Sequence, residues 1–322
     1  MVMNLNDVKF RGMIQLISKV QYQRSEKGEF HDGAERTLED TITLILDYPW
    51  GTERNLASIE LTCPSVTIEH PIGTYLKVGP YFSGKFSLYY LDTNHKVYFH
   101  TVNTLEEVCT WVQSYYEQDG QLLEFEKYTF TINPSAHFQT NPFEYTINTK
   151  GISSFFIFLF CMIPLTLIMG LLKSVDRPGG YNFIAGLGAT SFILLLCSPT
   201  IYLFFNYLSA DRNHYLQMSK GHNEFLFGTV DNNKLYYKSD ISEINVYGTN
   251  RYPPEKRGKN RRPWSDCEVF IITFKNGEQI RFTSLLISTS KLTYKLPDHR
   301  FTNHQKFIPT VKSAVLDFSA ST

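Results

Sequence analysis

The chain has 322 residues, a formal net charge of zero at pH 7, and five cysteines, none of which stands in a CxxC pair. This cysteine usage excludes a disulfide framework and a cysteine zinc site, and we predict neither a cofactor nor a metal. The zero charge conceals a split, because residues 1–150 carry 12 Lys and Arg against 19 Asp and Glu, whereas residues 211–322 carry 17 against 11.

Residues 1–150 are predicted to form an α+β domain of sheet and helix. Strand patterns occur in ITLILDYP (42–49), KFSLYYLD (85–92), KVYFHTV (96–102) and LLEFEKYTFTI (122–132). The second and third segments flank TNH, which predicts a hairpin. A helix is predicted over 104–118, because Thr104 and Glu107 match a capping box and apolar residues recur at helical spacing from Leu105.

The sequence of the same domain shows no catalytic motif. Its histidines have no metal-ligand spacing, and the sequence contains no glycine-rich phosphate loop and no nucleophile elbow. The protein is therefore predicted not to be an enzyme.

Two long apolar runs follow, Phe155–Leu172 and Phe183–Leu208, and neither contains a charged residue. A membrane helix needs about 20 apolar residues, so both runs are long enough to span. The alternative is a pair of core helices in a large soluble protein, which normally keep a polar stripe that these runs lack. The sequence predicts a two-helix transmembrane hairpin over 151–210, turned by KSVDRPGG, with membrane lipids as partners.

The N-terminus indicates on which side of the membrane the domains lie. Asp7, Lys9 and Arg11 interrupt the region where a signal peptide would need an apolar core. We expect the N-terminal domain to stay in the cytosol, and two crossings return the chain to that side. The prediction is an integral protein of the inner membrane with both termini cytosolic.

Residues 211–322 are dense in strand patterns. The predicted strands are EFLFGTV (224–230), KLYYKS (234–239), ISEINVYG (241–248), CEVFIITF (267–274) and QIRFTS (279–284). Asn276-Gly277 favours a type I′ turn between the last two. Pro309 begins an amphipathic helix predicted over 309–318. Antiparallel strands closed by one helix predict a pleckstrin-homology-like (PH-like) β barrel.

The segments LYYKSDISEINVYG and VFIITFKNGEQIRFTSLLIS resemble the PH-like domains of uncharacterised bacterial membrane proteins, in which the domain often follows a two-helix hairpin. The resemblance covers about residues 180–316. It implies a membrane-anchored, non-catalytic domain and carries over no catalytic residues.

A basic loop, RYPPEKRGKNRRPW (251–264), separates two of these predicted strands. Its cationic residues are Arg251, Lys256, Arg257, Lys259, Arg261 and Arg262, which are opposed by Glu255 alone. Such clusters beside a membrane bind anionic lipid. One alternative is that the segment is an ordinary solvated hairpin loop. Another is a contact with nucleic acid, but the loop lacks the aromatic residues on which bases would stack, so we do not expect nucleic acid as a partner.

These features favour a membrane-anchored, non-catalytic binding or scaffolding protein with an unknown protein partner. The alternative is a bacterial immunity or accessory protein that binds and neutralises a toxin, since the acidic N-terminal domain suits a basic partner. A membrane enzyme or transporter is the third hypothesis, but the apolar runs contain no charge that could serve an ion path.

Overall fold

The structure is a computed structural model that describes residues 14–54, 61, 64–122, 125, 127–129, 133–147, 168, 181–249 and 264–321. The chain divides into two compact units. The N-terminal unit comprises Met1–Pro142 and Ser219–His222, and the C-terminal unit comprises Phe143–Met218 and Asn223–Thr322. The domain limits predicted from the sequence, at residues 150 and 210, stay predictions.

The N-terminal unit is built on a seven-stranded antiparallel sheet with the order β2-β1-β3-β4-β5-β6-β7. Its strands are β1 (Leu16–Gln21), β2 (His31–Arg36), β3 (Ser65–Glu69), β4 (Tyr75–Pro80), β5 (Phe86–Leu91), β6 (Val97–Val102) and β7 (Lys127–Thr129). The predicted hairpin is confirmed, because β5 and β6 pair in register from Phe86 opposite Val102 to Leu91 opposite Val97.

The α-helices of this unit that lie within the described residues are α1 (Leu38–Asp47), α2 (Trp50–Arg54) and α3 (Leu105–Glu117). The predicted helix over 104–118 is confirmed as α3, and the Thr104 side chain accepts the Glu107 N–H at 3.2 Å. The fully buried Ile45 of α1 and Val112 of α3 join the sheet's core.

The strand predicted over 42–49 is wrong, because these residues lie mostly in α1. Thr37 caps that helix by accepting the Asp40 N–H, and Thr41 and Ile45 are then buried one turn apart. The start signal lies upstream of the apolar run, so the run by itself suggested a strand.

In the turn that follows α3, the backbone of Gly120 lies against the side chain of His70. Gly120 has φ +74°, and a Cβ there would lie 2.6 Å from Cγ of His70. Only glycine fits this position without moving its neighbours.

The C-terminal unit contains two four-stranded sheets with the orders β11-β10-β9-β8 and β14-β13-β12-β15. Their strands are β8 (Glu144–Thr146), β9 (His214–Gln217), β10 (Glu224–Thr229), β11 (Asn233–Tyr237), β12 (Ile241–Gly248), β13 (Glu268–Phe274), β14 (Gln279–Thr283) and β15 (Phe301–Gln305). All five strands predicted here are confirmed, whereas β8, β9 and β15 were not predicted.

The prediction of a closed PH-like barrel is wrong for the described residues, because β11 and β12 do not pair. A strand has two hydrogen-bonding edges, and β12 uses one for antiparallel pairing with β13 and the other for parallel pairing with β15. The unpredicted strand β15 therefore occupies the edge that a barrel would need for closure.

In the part of the chain that the structure describes, these sheets are accompanied by α4 (Tyr181–Asp211), α5 (Thr289–Lys295) and α6 (Val311–Ser321). The second apolar run, Phe183–Leu208, lies within α4, whereas the first run lies outside the described residues apart from Ile168. Among the residues that the structure describes, no helix is long and apolar enough to cross a membrane. The predicted transmembrane hairpin is therefore wrong, as are lipid partners through two spanning helices and the integral inner-membrane location.

The C-terminal part of α4 has protein partners instead. Leu203 and Tyr207 are buried in one cluster with Tyr247, Val269 and Ala314, and the Tyr207 hydroxyl donates to the Pro309 carbonyl at 2.7 Å. A helix that is apolar on all sides is typical either of a membrane span or of a protein core, and the sequence alone does not separate the two. The helix predicted over 309–318 forms as α6, which supplies Ala314 to this cluster.

Candidate functional site

The basic loop predicted as a contact site joins two neighbouring strands of one sheet. Strand β12 ends at Gly248 and β13 begins at Glu268. The six cationic residues lie outside the described residues, so lipid or partner contact by Arg251, Lys256, Arg257, Lys259, Arg261 and Arg262 stays a prediction. The end of the loop is anchored, because the Trp264 indole N–H donates to the Phe307 carbonyl at 3.1 Å.

An open cavity of about 440 Å³ lies in the C-terminal unit beside strand β11. Its walls come from β11, from the residues that lead into β12, and from the turn between β13 and β14. The lining residues are Lys234, Leu235, Tyr236, Tyr237, Asp240, Phe274, Lys275, Asn276 and Glu278. This position results from local signals, because the Asn276-Gly277 turn brings Glu278 back towards β11.

A charged and aromatic network fixes one wall of this cavity. Lys234 Nζ lies 2.7 Å from Glu278 Oε1, and the Tyr236 hydroxyl donates to the same oxygen at 2.9 Å. Hydrogen bonds from Lys234 and then Tyr236 lower the pKa of Glu278, and burial followed by the Glu278 bond raises the pKa of Tyr236 to about 12. Tyr236 also stacks on Phe274 with ring centroids 4.7 Å apart. The wall therefore combines fixed charges with flat apolar surface, a combination suited to recognition.

Among the strands that the structure describes, β11 pairs with β10 alone, so its other backbone edge is free beside this site. Lys238 donates its N–H to the Asn223 carbonyl of the β10 side at 2.7 Å. In a regular antiparallel ladder the inward and outward N–H groups alternate, so the N–H groups of Leu235 and Tyr237 point away from β10. Their side chains are 44% and 39% exposed, which leaves apolar and aromatic surface along the free edge.

A second cluster lies in the N-terminal unit and joins Glu29, His31 and His222. The Glu29 side chain is buried and accepts backbone N–H groups from Glu26, Gly221 and His222 at 2.7–2.9 Å. His222 Nδ1 lies 2.8 Å from Glu29 Oε1, and the two imidazole rings stack with centroids 3.9 Å apart.

The same contacts explain the charge state of Glu29. Burial by itself would raise the pKa of this carboxyl, but hydrogen bonds from His222, Ser219, Gly221 and Glu26 hold it well below its usual range. The group is therefore an anchored carboxylate at neutral pH.

Sequence reasoning missed this cluster, because His31 and His222 are far apart along the chain and no local spacing connects them. It also missed the cavity, although the strands and the turn that form it were all predicted. Both sites form where segments that are distant in the sequence pack together, and a single sequence does not show which distant segments are in contact.

The C-terminal unit, with its two four-stranded sheets and the cavity beside β11, is of the class of β-rich modules. The sequence pattern of the PH domain family matches residues 129–295, which is just over half of the chain. The chain therefore belongs to the PH domain family, and the PH-like part of the predicted resemblance is confirmed. Nothing found supports a bacterial origin. No curated protein and no solved structure proved similar to the chain.

Proposed function

We propose that this protein is a binding protein whose PH-like unit captures an extended segment of a partner protein along strand β11. The observation that carries the proposal is the free edge of β11 beside the 440 Å³ cavity. An extended peptide adds to such an edge through main-chain hydrogen bonds, and neighbouring pockets select its side chains. Membership of the PH domain family, a non-catalytic binding fold, supports the same role.

The edge of β11 and the cavity contribute differently to recognition of the peptide. The outward N–H groups of Leu235 and Tyr237 bind a peptide of any sequence, so they contribute affinity. The Lys234–Glu278 pair and the Tyr236–Phe274 stack select the side chain that enters the cavity. The preferred ligand has an aromatic or long polar side chain that covers the stack and hydrogen-bonds to the ion pair.

A photo-crosslinking residue at Tyr237, in the full-length chain in its own cells, identifies the partner. The expected result is a covalent adduct with one protein, absent when the probe replaces Leu316, which is exposed on α6. Replacement of Leu235 by Pro then removes one outward N–H without breaking the ladder to β10, whereas Leu235→Ala keeps the N–H. The adduct should be lost with Pro and retained with Ala; equal adduct yields would exclude addition at this edge.

Anionic lipid at the loop 251–264 is the second candidate, and its support is the run of six cationic residues in the sequence. Vesicles with and without anionic lipid test it through co-sedimentation with the full chain. Changing Arg257, Lys259, Arg261 and Arg262 together to Ser should abolish most of the binding, at about 1 kcal/mol per residue. Unchanged sedimentation of that variant would assign the charges to an ordinary solvated loop.

Toxin neutralisation would be a special case of partner binding. It rests on the excess of 19 acidic over 12 basic residues in positions 1–150, which suits a basic partner. Identification of the crosslinked protein decides this case, because a partner without toxic activity removes the hypothesis.

A further inference from the structure

Three side chains of metal-ligating type converge in the N-terminal unit. Glu29, His31 and His222 each offer one ligand atom, and these atoms all lie within 4.8 Å of one another. The segment Ser219–His222 belongs to this unit although the chain on both sides of it belongs to the other. The cluster is therefore assembled within one compact unit.

Glu29 is a fixed carboxylate in this cluster. It is 1% exposed, and backbone N–H groups of Glu26, Gly221 and His222 orient both of its oxygens. Hydrogen-bonded carboxylates of this kind make rigid metal ligands, because the outer bonds set the position of the oxygen before the ion arrives.

The two histidines are accessible and can present neutral nitrogens. The side chain of His222 is 43% exposed, and its Nδ1 lies 2.8 Å from Glu29 Oε1. His31 Nε2 lies 3.1 Å from the Ser25 hydroxyl, and metal binding would replace this hydrogen bond. A neutral imidazole nitrogen is the form that binds metal.

We propose that Glu29, His31 and His222 form a binding site for a divalent transition-metal cation of the zinc class. Two imidazoles and one carboxylate are the ligand set that such ions prefer, with a fourth position left to water. The ion takes the place of the proton between His222 Nδ1 and Glu29 Oε1. The displaced proton passes to Nε2 of His222, so Nδ1 presents its lone pair to the ion.

The geometry requires a small closure around the ion. Metal–ligand bonds of about 2.1 Å in a tetrahedral site place neighbouring ligand atoms about 3.4 Å apart. The ligand atoms now lie within 4.8 Å of one another, and His31 reaches the required distance when its ring leaves Ser25 and rotates out of the stack with His222. His222 Nδ1 and Glu29 Oε1 are now 2.8 Å apart, so this distance widens as the ion enters. Glu29 keeps its backbone partners during this change, so the closure involves only the two imidazoles.

Titration calorimetry of Zn²⁺ into the EDTA-treated full-length chain tests the site. The expected result is one saturable equivalent, weakened at least about tenfold by His31→Ala and by His222→Ala. His95→Ala, which removes an exposed imidazole elsewhere in the same unit, is the matched control and should bind as the wild type does.

A second variant separates ligand loss from unfolding. His222→Asn retains a donor near Glu29 but supplies no ring nitrogen, so it should keep the metal-free thermal midpoint and still bind Zn²⁺ at least about tenfold more weakly. The Co²⁺-loaded wild type should show the visible absorption of a tetrahedral ion. Absence of saturable Zn²⁺ binding by the wild type, or equal binding by His222→Asn, overturns the proposal. Crosslinking at Tyr237 is independent of either result.

Discussion

Replacement of Asp211 by Ala should release helix α4 from strand β14. Asp211 is the last residue of α4, and its side chain is fully buried. One oxygen accepts the Thr283 N–H at 2.8 Å and the Thr283 hydroxyl at 2.6 Å, and the other oxygen lies 3.0 Å from His214 Nδ1. The truncation therefore leaves two buried donors of Thr283 without an acceptor.

The magnitude follows from these two donors. Each unsatisfied buried donor costs about 1–3 kcal/mol, so the variant should lose about 4 kcal/mol of stability. The contact with His214 adds little, because that ring is partly exposed. Asp211→Asn keeps the volume and one acceptor oxygen, and it should lose about half as much.

Hydrogen exchange at the Thr283 amide measures this effect locally, which matters because a chain with two units need not unfold in one step. A loss of 4 kcal/mol corresponds to roughly a thousandfold faster exchange when the rate follows the equilibrium between closed and open states. Asp231→Ala, at an exposed position in the same unit, is the control. If Asp211→Ala exchanged within threefold of the control, the carboxylate would not hold α4 to β14.

Three further predictions concern packing and pH. Gly120→Ala should destabilise the N-terminal unit by more than Gly73→Ala, because both glycines have positive φ but only at Gly120 would a Cβ clash with a neighbour. In urea unfolding, the free energy of unfolding should fall by about 1 kcal/mol for Gly73→Ala and by at least twice that for Gly120→Ala. Thermal melting should show that Ala314→Asp lowers the unfolding free energy by several kcal/mol, because Ala314 is buried. Leu316→Asp should lower it by less than about 0.5 kcal/mol, because Leu316 is 59% exposed. Burial, with nearby lysines, lowers the pKa of His137 to about 4. The contribution of the neutral ring to stability is therefore complete above pH 6.5 and is lost as the pH falls towards 4. His137→Gln should flatten the plot of unfolding free energy against pH between these two values.

The sequence was most informative where a local pattern has one structural outcome. Asn276-Gly277 between alternating apolar residues predicted the β13–β14 hairpin, and the strands found there match the predicted segments. The predicted type I′ turn is wrong, because Gly277 has a positive φ and Asn276 does not. The capping box at Thr104 fixed the start of α3 in the same way. The cavity walls beside β11 are therefore made of elements that were predictable one by one.

Local patterns were insufficient where the outcome depends on the partner of a surface. The apolar run in α4 predicted lipid, but Leu203 and Tyr207 pack on Val269 and Ala314. Burial in protein and burial in lipid select the same side chains, so hydropathy does not identify the partner. The barrel prediction was wrong for a related reason, because the strand pattern of β12 does not specify that β15 takes its second edge.

Periodicity, caps and turns act over a few residues, so the sequence predicted most strands of the PH-like unit and the helix after the N-terminal hairpin. Only the tertiary structure brought Glu278 to Lys234, and Glu29 and His31 to His222. These contacts join segments 44 and about 190 residues apart. Such contacts depend on the free energy of the whole packed unit, which cannot be inferred from a short stretch of sequence.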